Sequence, residues 1–196
     1  MEKLLNKGAD VNRQAGKYGT ALQAAAYFGD VDNVKMLIDH GANINPPPGG
    51  LYGTPLQAAC HTGFASTVRL LLESGAYVDT KGGGEHDYAI IAAITIGNLD
   101  AFNVLLEWNP DVSVRGGDDN TPVIVHAGLK LVTEDIEKLL NRNADINASS
   151  DSGITALITC ADACDTRGLE FLLSQGADIH HASNRGTALY IAASEA

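Results

Sequence analysis

One short pattern of residues recurs along this chain at a nearly constant spacing. In residues 18–45 it predicts a short alanine-rich helix, a glycine turn, a second helix and a stop. The stop returns every 33 or 34 residues, at Gly8, Gly41, Gly75, Asn109, Asn143 and Gly176. A fixed period in this range indicates a stacked array of helical hairpins, in which each unit needs its neighbours to bury an apolar face.

The unit in residues 18–45 shows the local signals of such a hairpin. Thr20 precedes the alanine-rich segment and can cap its N-terminus, and Gly29 ends the helix. Asp30 opens the second helix, where an acidic group complements the helix dipole. Val34 and Leu37 then share one apolar face. Each predicted helix has about three turns or fewer, so it is marginal alone and depends on packing.

The recurring phrases identify the kind of array. They are TALQAA at 20–25, TPLQAA at 54–59, GANIN at 41–45, GAYVD at 75–79, NADIN at 143–147 and GADIH at 176–180. These phrases resemble the ankyrin repeat, and the resemblance extends over essentially the whole chain. It implies an all-α solenoid of helix-turn-helix repeats joined by projecting β-turn or hairpin loops. Gln23 and Gln57 stand where the family usually has histidine, and with the lead-in YGT they are similar to long ankyrin arrays of filamentous fungi.

Aligned on this pattern, the whole chain is predicted to be a single array with partial repeats at both ends. The five full repeats lie between those partial ones. The predicted boundaries are 1–12 (partial), 13–45, 46–79, 80–113, 114–147, 148–180 and 181–196 (partial).

The middle and later repeats depart from the template at particular positions. Asp87 stands near the position of the N-cap threonine and could serve as the cap. One extra residue lies between the helices of the next repeat, near residues 128–133. Asn109 and Asn143 replace the stop glycine, and asparagine tolerates the left-handed conformation better than other residues with a side chain. Cys164 occupies a turn position that is glycine in earlier repeats.

Composition excludes several classes of partner. The net charge is −11, and the 13 lysines and arginines form no basic run, so neither nucleic acid nor an anionic membrane is an expected partner. No apolar run approaches the roughly 20 residues of a membrane span, and the N-terminus lacks the apolar core of a signal peptide. Three cysteines do not make a disulfide framework. Together these features favour an intracellular, cytoplasmic protein.

The sequence offers little for catalysis or metal binding. Cys160 and Cys164 would supply only half of a tetrahedral metal site. Cys60 and His61 are adjacent on a predicted helix, so their side chains point about 100° apart and cannot easily pair as nucleophile and base. The glycines of residues 81–84 follow their lysine, which is the reverse of a P-loop. We therefore predict a non-enzymatic protein with no metal site and no cofactor.

The resemblance implies a concave face lined by the first helices and the adjacent turns, where ankyrin proteins usually bind another protein. The candidate residues lie just before each N-cap and at the end of each first helix. They are Lys17, Tyr18, Tyr27, Phe28, Leu51, Tyr52, His61, Glu85, His86, Asp118 and Asp119. The first of these are aromatic or apolar and the last are acidic, so a protein or peptide with an apolar anchor and a basic segment would fit them.

Alternative interpretations stay open at this point. Tyr18 and Tyr52 could simply cover their turns, because singly exposed aromatic residues are common. The irregular region around residues 87–133 could bind or transform a small molecule through its polar cluster, which consists of His86, Asp87, Asp118, Asp119 and His126. The array could instead be a structural spacer in a multidomain protein, and truncated arrays of this type can also stack end to end.

Overall fold

The computed structural model describes residues 1–130 and 132–194. The chain divides into two compact units, the first being Met1–Pro110 and the second beginning at Asp111. The first unit contains α1 (Glu2–Leu5), α2 (Ala21–Tyr27), α3 (Val31–Asp39), α4 (Pro55–Thr62), α5 (Ala65–Glu73), α6 (Ala89–Ile96) and α7 (Leu99–Glu107). Among all the described residues, no helix is both long enough and apolar enough to cross a membrane.

Side-chain caps fix the start of the first helix in two successive repeats. The Thr20 hydroxyl accepts a hydrogen bond from the Gln23 backbone N–H, and Gln23 Oε1 accepts from the Thr20 N–H, which completes a capping box. Thr54 caps α4 through the Gln57 N–H, and Pro55 follows at a position that needs no N–H. The predicted threonine caps are confirmed.

The helices of the first unit pack in two layers. The first helices of successive repeats, α2, α4 and α6, lie side by side, and the second helices α3, α5 and α7 form the other layer. Each hairpin also buries the interface between its own two helices. The largest fully buried side chains of this unit are Leu22, Leu37, Leu71, Ile91, Ile94, Phe102 and Leu105. Small alanines on the first helices, such as Ala26 and Ala59, let these layers approach closely.

Backbone hydrogen bonds join the turns of consecutive repeats. The Leu51 N–H donates to the Lys17 carbonyl at 3.0 Å, and the Glu85 N–H donates to the Leu51 carbonyl at 2.9 Å. These three residues are each 34 positions apart in the sequence. Equivalent turn positions in three repeats are therefore fixed in one line along the unit.

The second unit has the same kind of hairpin and two short strand pairs. Its elements are β1 (Arg115–Gly116), β2 (Thr121–Pro122), α8 (Val123–Lys130), α9 (Thr133–Leu140), α10 (Ala156–Asp162), α11 (Thr166–Ser174), β3 (Ala182–Ser183), β4 (Gly186–Thr187) and α12 (Ala188–Ser194). The strands pair antiparallel, β1 with β2 and β3 with β4. The first helices α8, α10 and α12 again pack in sequence. The expectation of helical hairpins with projecting hairpin loops is confirmed.

The residues that replace glycine adopt the backbone conformation that glycine favours. Asn109 has φ = 48° and Asn143 has φ = 63°, so both asparagines act as left-handed helix stops as predicted. Cys164 also has a positive φ, at 54°. An L-residue other than Asn or Asp is uncommon in this region, because its Cβ crowds the following carbonyl.

One sequence expectation is wrong, and another falls outside the described residues. Asp87 does not cap α6, because Tyr88 holds the N-cap position and no side-chain cap is present. The Asp87 carbonyl instead accepts from the Gly82 N–H at 2.8 Å, which ties down the glycine-rich turn. The extra residue expected near 128–133 involves Leu131, which lies outside the described residues. The division of residues 1–196 into one continuous array stays a prediction.

Replacing Cys164 with glycine is expected to stabilise the protein. Relief of the left-handed backbone is worth about 1–2 kcal/mol, and the added freedom of glycine in the unfolded chain offsets about 0.5–1 kcal/mol of this. The free energy of unfolding of Cys164→Gly should therefore rise by about 0.5–1 kcal/mol in urea titrations. Cys164→Ala keeps the Cβ and is the matched control, expected to stay close to the wild type. A glycine variant no more stable than this control would show that the left-handed backbone at Cys164 does not destabilise the protein.

Candidate functional site

The candidate residues of the first unit occupy two sets of equivalent positions. Tyr18, Tyr52 and His86 lie at the same place in three successive turns, each 34 residues after the last. Tyr27 and His61 lie at the same place near the ends of α2 and α4, again 34 residues apart. The stacking of the repeats therefore brings residues that are far apart in the sequence onto one surface.

On this surface the five rings form a continuous row, which we call the aromatic row. The ring centroids of Tyr18 and Tyr27 are 4.7 Å apart, and those of Tyr27 and Tyr52 are 4.9 Å apart. Tyr52 lies 4.4 Å from His61, and His61 lies 5.3 Å from His86. The rings alternate between a turn position and a helix position along the row.

Burial differs sharply along this surface. Tyr52 is only 7% exposed, so it supports its neighbours and offers little area to a partner. Phe28 is 62% exposed, although its ring contacts Tyr18 at 5.5 Å and Tyr27 at 5.1 Å in edge-on arrangements. The Lys17 ammonium lies 5.4 Å from the centre of the Tyr18 ring, which is within reach of a cation–π contact. Phe28 is therefore the apolar group of this set that is most open to a partner.

Turn residues of three successive repeats form one edge of this surface, and their side chains differ in charge. Lys17, Leu51 and Glu85, which the backbone hydrogen bonds place in line, supply a positive, an apolar and a negative side chain in that order. Leu51 is 39% exposed, and Lys17 and Glu85 are exposed as well. A partner that follows this edge meets three different kinds of contact.

The environment of the row changes two pKa values. Burial and a hydrogen bond with the Tyr27 side chain raise the pKa of Tyr52 to about 12, so its hydroxyl stays protonated at neutral pH. Burial, followed by the neighbouring His61, lowers the pKa of His86 below its ordinary value. The His61 Nδ1 and His86 Nε2 atoms are 3.2 Å apart, so at least one ring must be neutral for a hydrogen bond to form.

Buried amides hold the backbone beneath the row. Gln57 Nε2 donates to the carbonyls of His86 at 3.0 Å and Asp87 at 2.8 Å. Gln23 Nε2 also donates two hydrogen bonds to the following turn, to the Gly53 carbonyl at 2.9 Å, which is equivalent to that of Asp87, and to the Gly49 carbonyl at 2.7 Å. The sequence showed both glutamines at equivalent positions but did not reveal this role, which depends on atoms of the following repeat.

Asn98 holds the backbone at His61 and was not identified from the sequence as part of the site. Its Nδ2 donates to the carbonyl of His61 at 3.1 Å, near the end of α4. Asn98 is the N-cap residue of α7, so one side chain joins the turns between the helices of two successive hairpins. No sequence signal distinguished this asparagine from an ordinary turn residue.

The two acidic candidates belong to the second unit. Asp119 accepts from the Ser152 N–H at 3.0 Å and from the Ser152 hydroxyl, and it joins the turns of neighbouring repeats. Hydrogen bonds from Ser150 and Ser152 lower the pKa of Asp119 below its ordinary value. Asp118 is exposed on the same turn. Of this pair, Asp119 is thus already engaged in holding the turn.

Neither the two buried cysteines nor the recess beside Asp119 and His126 favours a catalytic or small-molecule site. Burial raises the pKa of the Cys60 thiol, and it raises that of Cys160 to about 12, which disfavours the thiolate needed for nucleophilic attack. In the second unit a recess of ≈ 230 Å³ lies beside Asp119 and His126. This volume is below the roughly 300–1,000 Å³ of usual ligand pockets. A small-molecule site there gains no support from its size.

Comparison with known proteins agrees with this architecture. Residues 1–82 match the family model described as "Ankyrin repeats (3 copies)". A chain from the complex of the predatory endopeptidase Bd0816 from Bdellovibrio bacteriovorus with immunity protein Bd3460 is 28% identical, with a TM-score of 0.81. That match covers 91% of this chain and 93% of the other. The ankyrin repeat domain of human ASB11 has the same fold at 24% identity and a TM-score of 0.79, covering 97% of this chain and 85% of the other.

No curated protein sequence matches the chain significantly. The packed helical hairpins, the capped first helices and the linked turns define a repeat protein built of stacked helical hairpins. Residues 1–82 contain ankyrin repeats, and the chain has the ankyrin-repeat fold. Ankyrin repeats generally mediate interactions between proteins, and the family is typically non-enzymatic. The narrower resemblance to fungal arrays stays a prediction.

Replacing Gln57 with alanine is expected to destabilise the first unit. The change removes two hydrogen bonds and leaves the His86 carbonyl without its donor, at a cost of about 2 kcal/mol. Urea unfolding would measure this loss. Gln14→Ala is a matched control, because the Gln14 amide also bonds a carbonyl of the next turn, that of Pro47, but is exposed. Equal effects of the two changes would contradict the role of the buried amide.

His86 is expected to make stability depend on pH. Its pKa in the folded state is lowered from 6.5, so the unfolded state binds more protons as the pH falls. The contribution of His86 is therefore present above pH 6.5 and is lost as the pH falls through the lowered folded-state pKa. Unfolding free energies measured from about pH 8 to about pH 5 should fall less for His86→Gln than for the wild type. Parallel pH profiles would show that another group is responsible.

Proposed function

We propose that this protein binds a protein or peptide partner through the first-helix and turn surface of its first unit. The observation that carries the proposal is Phe28, which is 62% exposed while its ring rests on Tyr18 and Tyr27. Large aromatic side chains at the centre of a contact supply much of the binding energy in protein interfaces. Phe28 is the central contact of the proposed site.

The support beneath Phe28 favours binding. The aromatic row is held by ring contacts and by buried amides from the previous repeat, so its side chains are already ordered before a partner arrives. Ordering a mobile side chain costs about 0.5–1.5 kcal/mol on association. A surface that has already met this cost in folding can use more of its contact energy for affinity.

The chemistry of the turn edge indicates what the partner carries. Leu51 extends the apolar surface next to Tyr52, and Glu85 adds a negative charge at the far end of the edge. The whole chain carries a net charge of −11, which attracts basic segments at long range. A peptide with an apolar anchor for Phe28 and a basic residue for Glu85 would satisfy both features. Asp118 and Asp119 stay predicted acidic contacts.

The comparison with solved structures supports a protein partner. The Bdellovibrio chain was solved in a complex of two proteins, an endopeptidase and an immunity protein. Its likeness covers 91% of this chain, and ankyrin repeats generally serve protein interaction. That complex does not identify the partner of this chain, so the partner is defined only by its chemistry.

Selection of peptides from a displayed random library on the full chain tests this proposal. The selected peptides should contain an apolar residue near a basic one, and Phe28→Ala should weaken their affinity by about tenfold or more. Phe28 is mostly exposed, so its replacement should leave helicity and melting temperature nearly unchanged.

Tyr77→Ala is the matched control for this experiment. Tyr77 belongs to the same unit and is 69% exposed, but it follows α5 in the sequence and is not a member of the aromatic row. Its replacement should not change the affinity of the selected peptides. Peptides that bind Phe28→Ala as tightly as the wild type would contradict the proposed site.

A further inference from the structure

Three potential metal ligands meet at one end of the aromatic row. His61 comes from the end of α4, and Glu85 and His86 come from the following turn. One ligand atom from each of the three side chains lies within 4.8 Å of the others. The closest pair is His61 Nδ1 and His86 Nε2, at 3.2 Å.

The distance between the two nitrogens matches a coordination geometry. Zinc binds imidazole nitrogen at about 2.0–2.1 Å, so two nitrogens at neighbouring corners of a tetrahedron are about 3.3 Å apart. The histidines therefore need little movement to share a metal. Glu85 is exposed, and rotation of its flexible side chain can bring a carboxylate oxygen the remaining distance.

We propose that His61, His86 and Glu85 form a binding site for a divalent transition metal of the zinc class. Two imidazoles and one carboxylate are ligands that suit zinc and its neighbours in the first transition row. Calcium and magnesium prefer a shell made of oxygen atoms, so this set selects against them. Three protein ligands leave a further coordination position for water.

The surroundings of the ligands favour a preformed site. The Gln57 amide fixes the His86 carbonyl at 3.0 Å, and the Asn98 amide fixes the His61 carbonyl at 3.1 Å. The His61 ring also packs against Tyr52, with centroids 4.4 Å apart. These contacts restrict the backbone and the ring that carry the ligands, so less conformational freedom is lost when a metal binds.

Metal binding needs no net change in the charge of the two histidines. In the metal-free pair, one of the two facing nitrogens carries the hydrogen that lies between them. When the metal takes both lone pairs, this hydrogen moves through solvent to the outer nitrogen of the same ring. The two rings together neither gain nor lose a proton, and the Glu85 carboxylate offsets one of the two positive charges of the metal.

The proposed site differs from the expectation from sequence. From the sequence, Cys160 with Cys164 was considered as a pair of metal ligands and rejected, and no metal site was predicted. His61 and His86 are 25 residues apart, and only the stacking of two repeats brings them together. Glu85 is shared with the proposed peptide surface, but zinc binding can be tested without any peptide, so the two proposals can fail separately.

Zinc titration of the full chain tests the site. The Cys164→Ser background removes the exposed thiol, which could bind zinc by itself. Competition with a chromophoric chelator should show one zinc ion per chain. His61→Ala and His86→Ala should each raise the Kd by about tenfold or more, since loss of an orienting group alone costs that much. Glu85→Gln should raise it in the same direction.

Controls separate this site from surface histidines. His40→Ala should not change the Kd, because His40 is exposed elsewhere in the first unit. Long-range ¹H–¹⁵N spectra of the unsubstituted chain should show zinc-dependent shifts at His61 Nδ1 and His86 Nε2, which avoids any effect of substitution on folding. Absence of saturable binding, or an unchanged Kd when both histidines are replaced, would overturn the proposal. Zinc-dependent shifts confined to other histidines would overturn it as well.

Discussion

The first unit depends on a buried amide that reaches from one repeat into the next. Gln23 and Gln57 each donate two hydrogen bonds to the turn of the following repeat. The carbonyls of Gly53 and Asp87 also accept from the Gly49 and Gly82 N–H groups, whereas the His86 carbonyl relies on Gln57, and loss of a buried donor costs about 1–3 kcal/mol. Short helices of this kind are not stable alone, so these contacts and the helix packing must be made together. Folding of one repeat therefore sets the geometry of the next turn.

The aromatic row follows from that constraint. Because Gln57 fixes the backbone at His86, the imidazole is held where it meets His61, and the row continues without a gap from Tyr18. The same surface then has two chemical ends. The end near Phe28 is apolar and exposed, which suits a protein partner, whereas the end near His86 gathers nitrogen and carboxylate ligands. One structural device thus supports both proposals.

Much of the fold could be predicted because its signals are local. The threonine caps, the helix periodicity and the asparagine stops each depend on a few neighbouring residues, and the structure confirms them at Thr20, Thr54, Asn109 and Asn143. The site could be predicted only in part, because the sequence indicated which positions carry rings but not the distances between those rings. The contact between His61 and His86 depends on how two repeats stack. The cap expected at Asp87 was wrong by one residue, because α6 has its N-cap at Tyr88, where no side-chain cap forms.

The line formed by Lys17, Leu51 and Glu85 has a consequence for how such a surface can change over evolutionary time. Each of these residues makes its repeat-to-repeat contact through backbone atoms, so the hydrogen bonds do not depend on which side chain is present. Mutation can therefore exchange the side chain at any one turn while the register of the array persists. The side chains that contact a partner can therefore change one repeat at a time, while the backbone hydrogen bonds that align the repeats stay the same. The change from lysine at 17 to leucine at 51 and glutamate at 85 is one such series of exchanges.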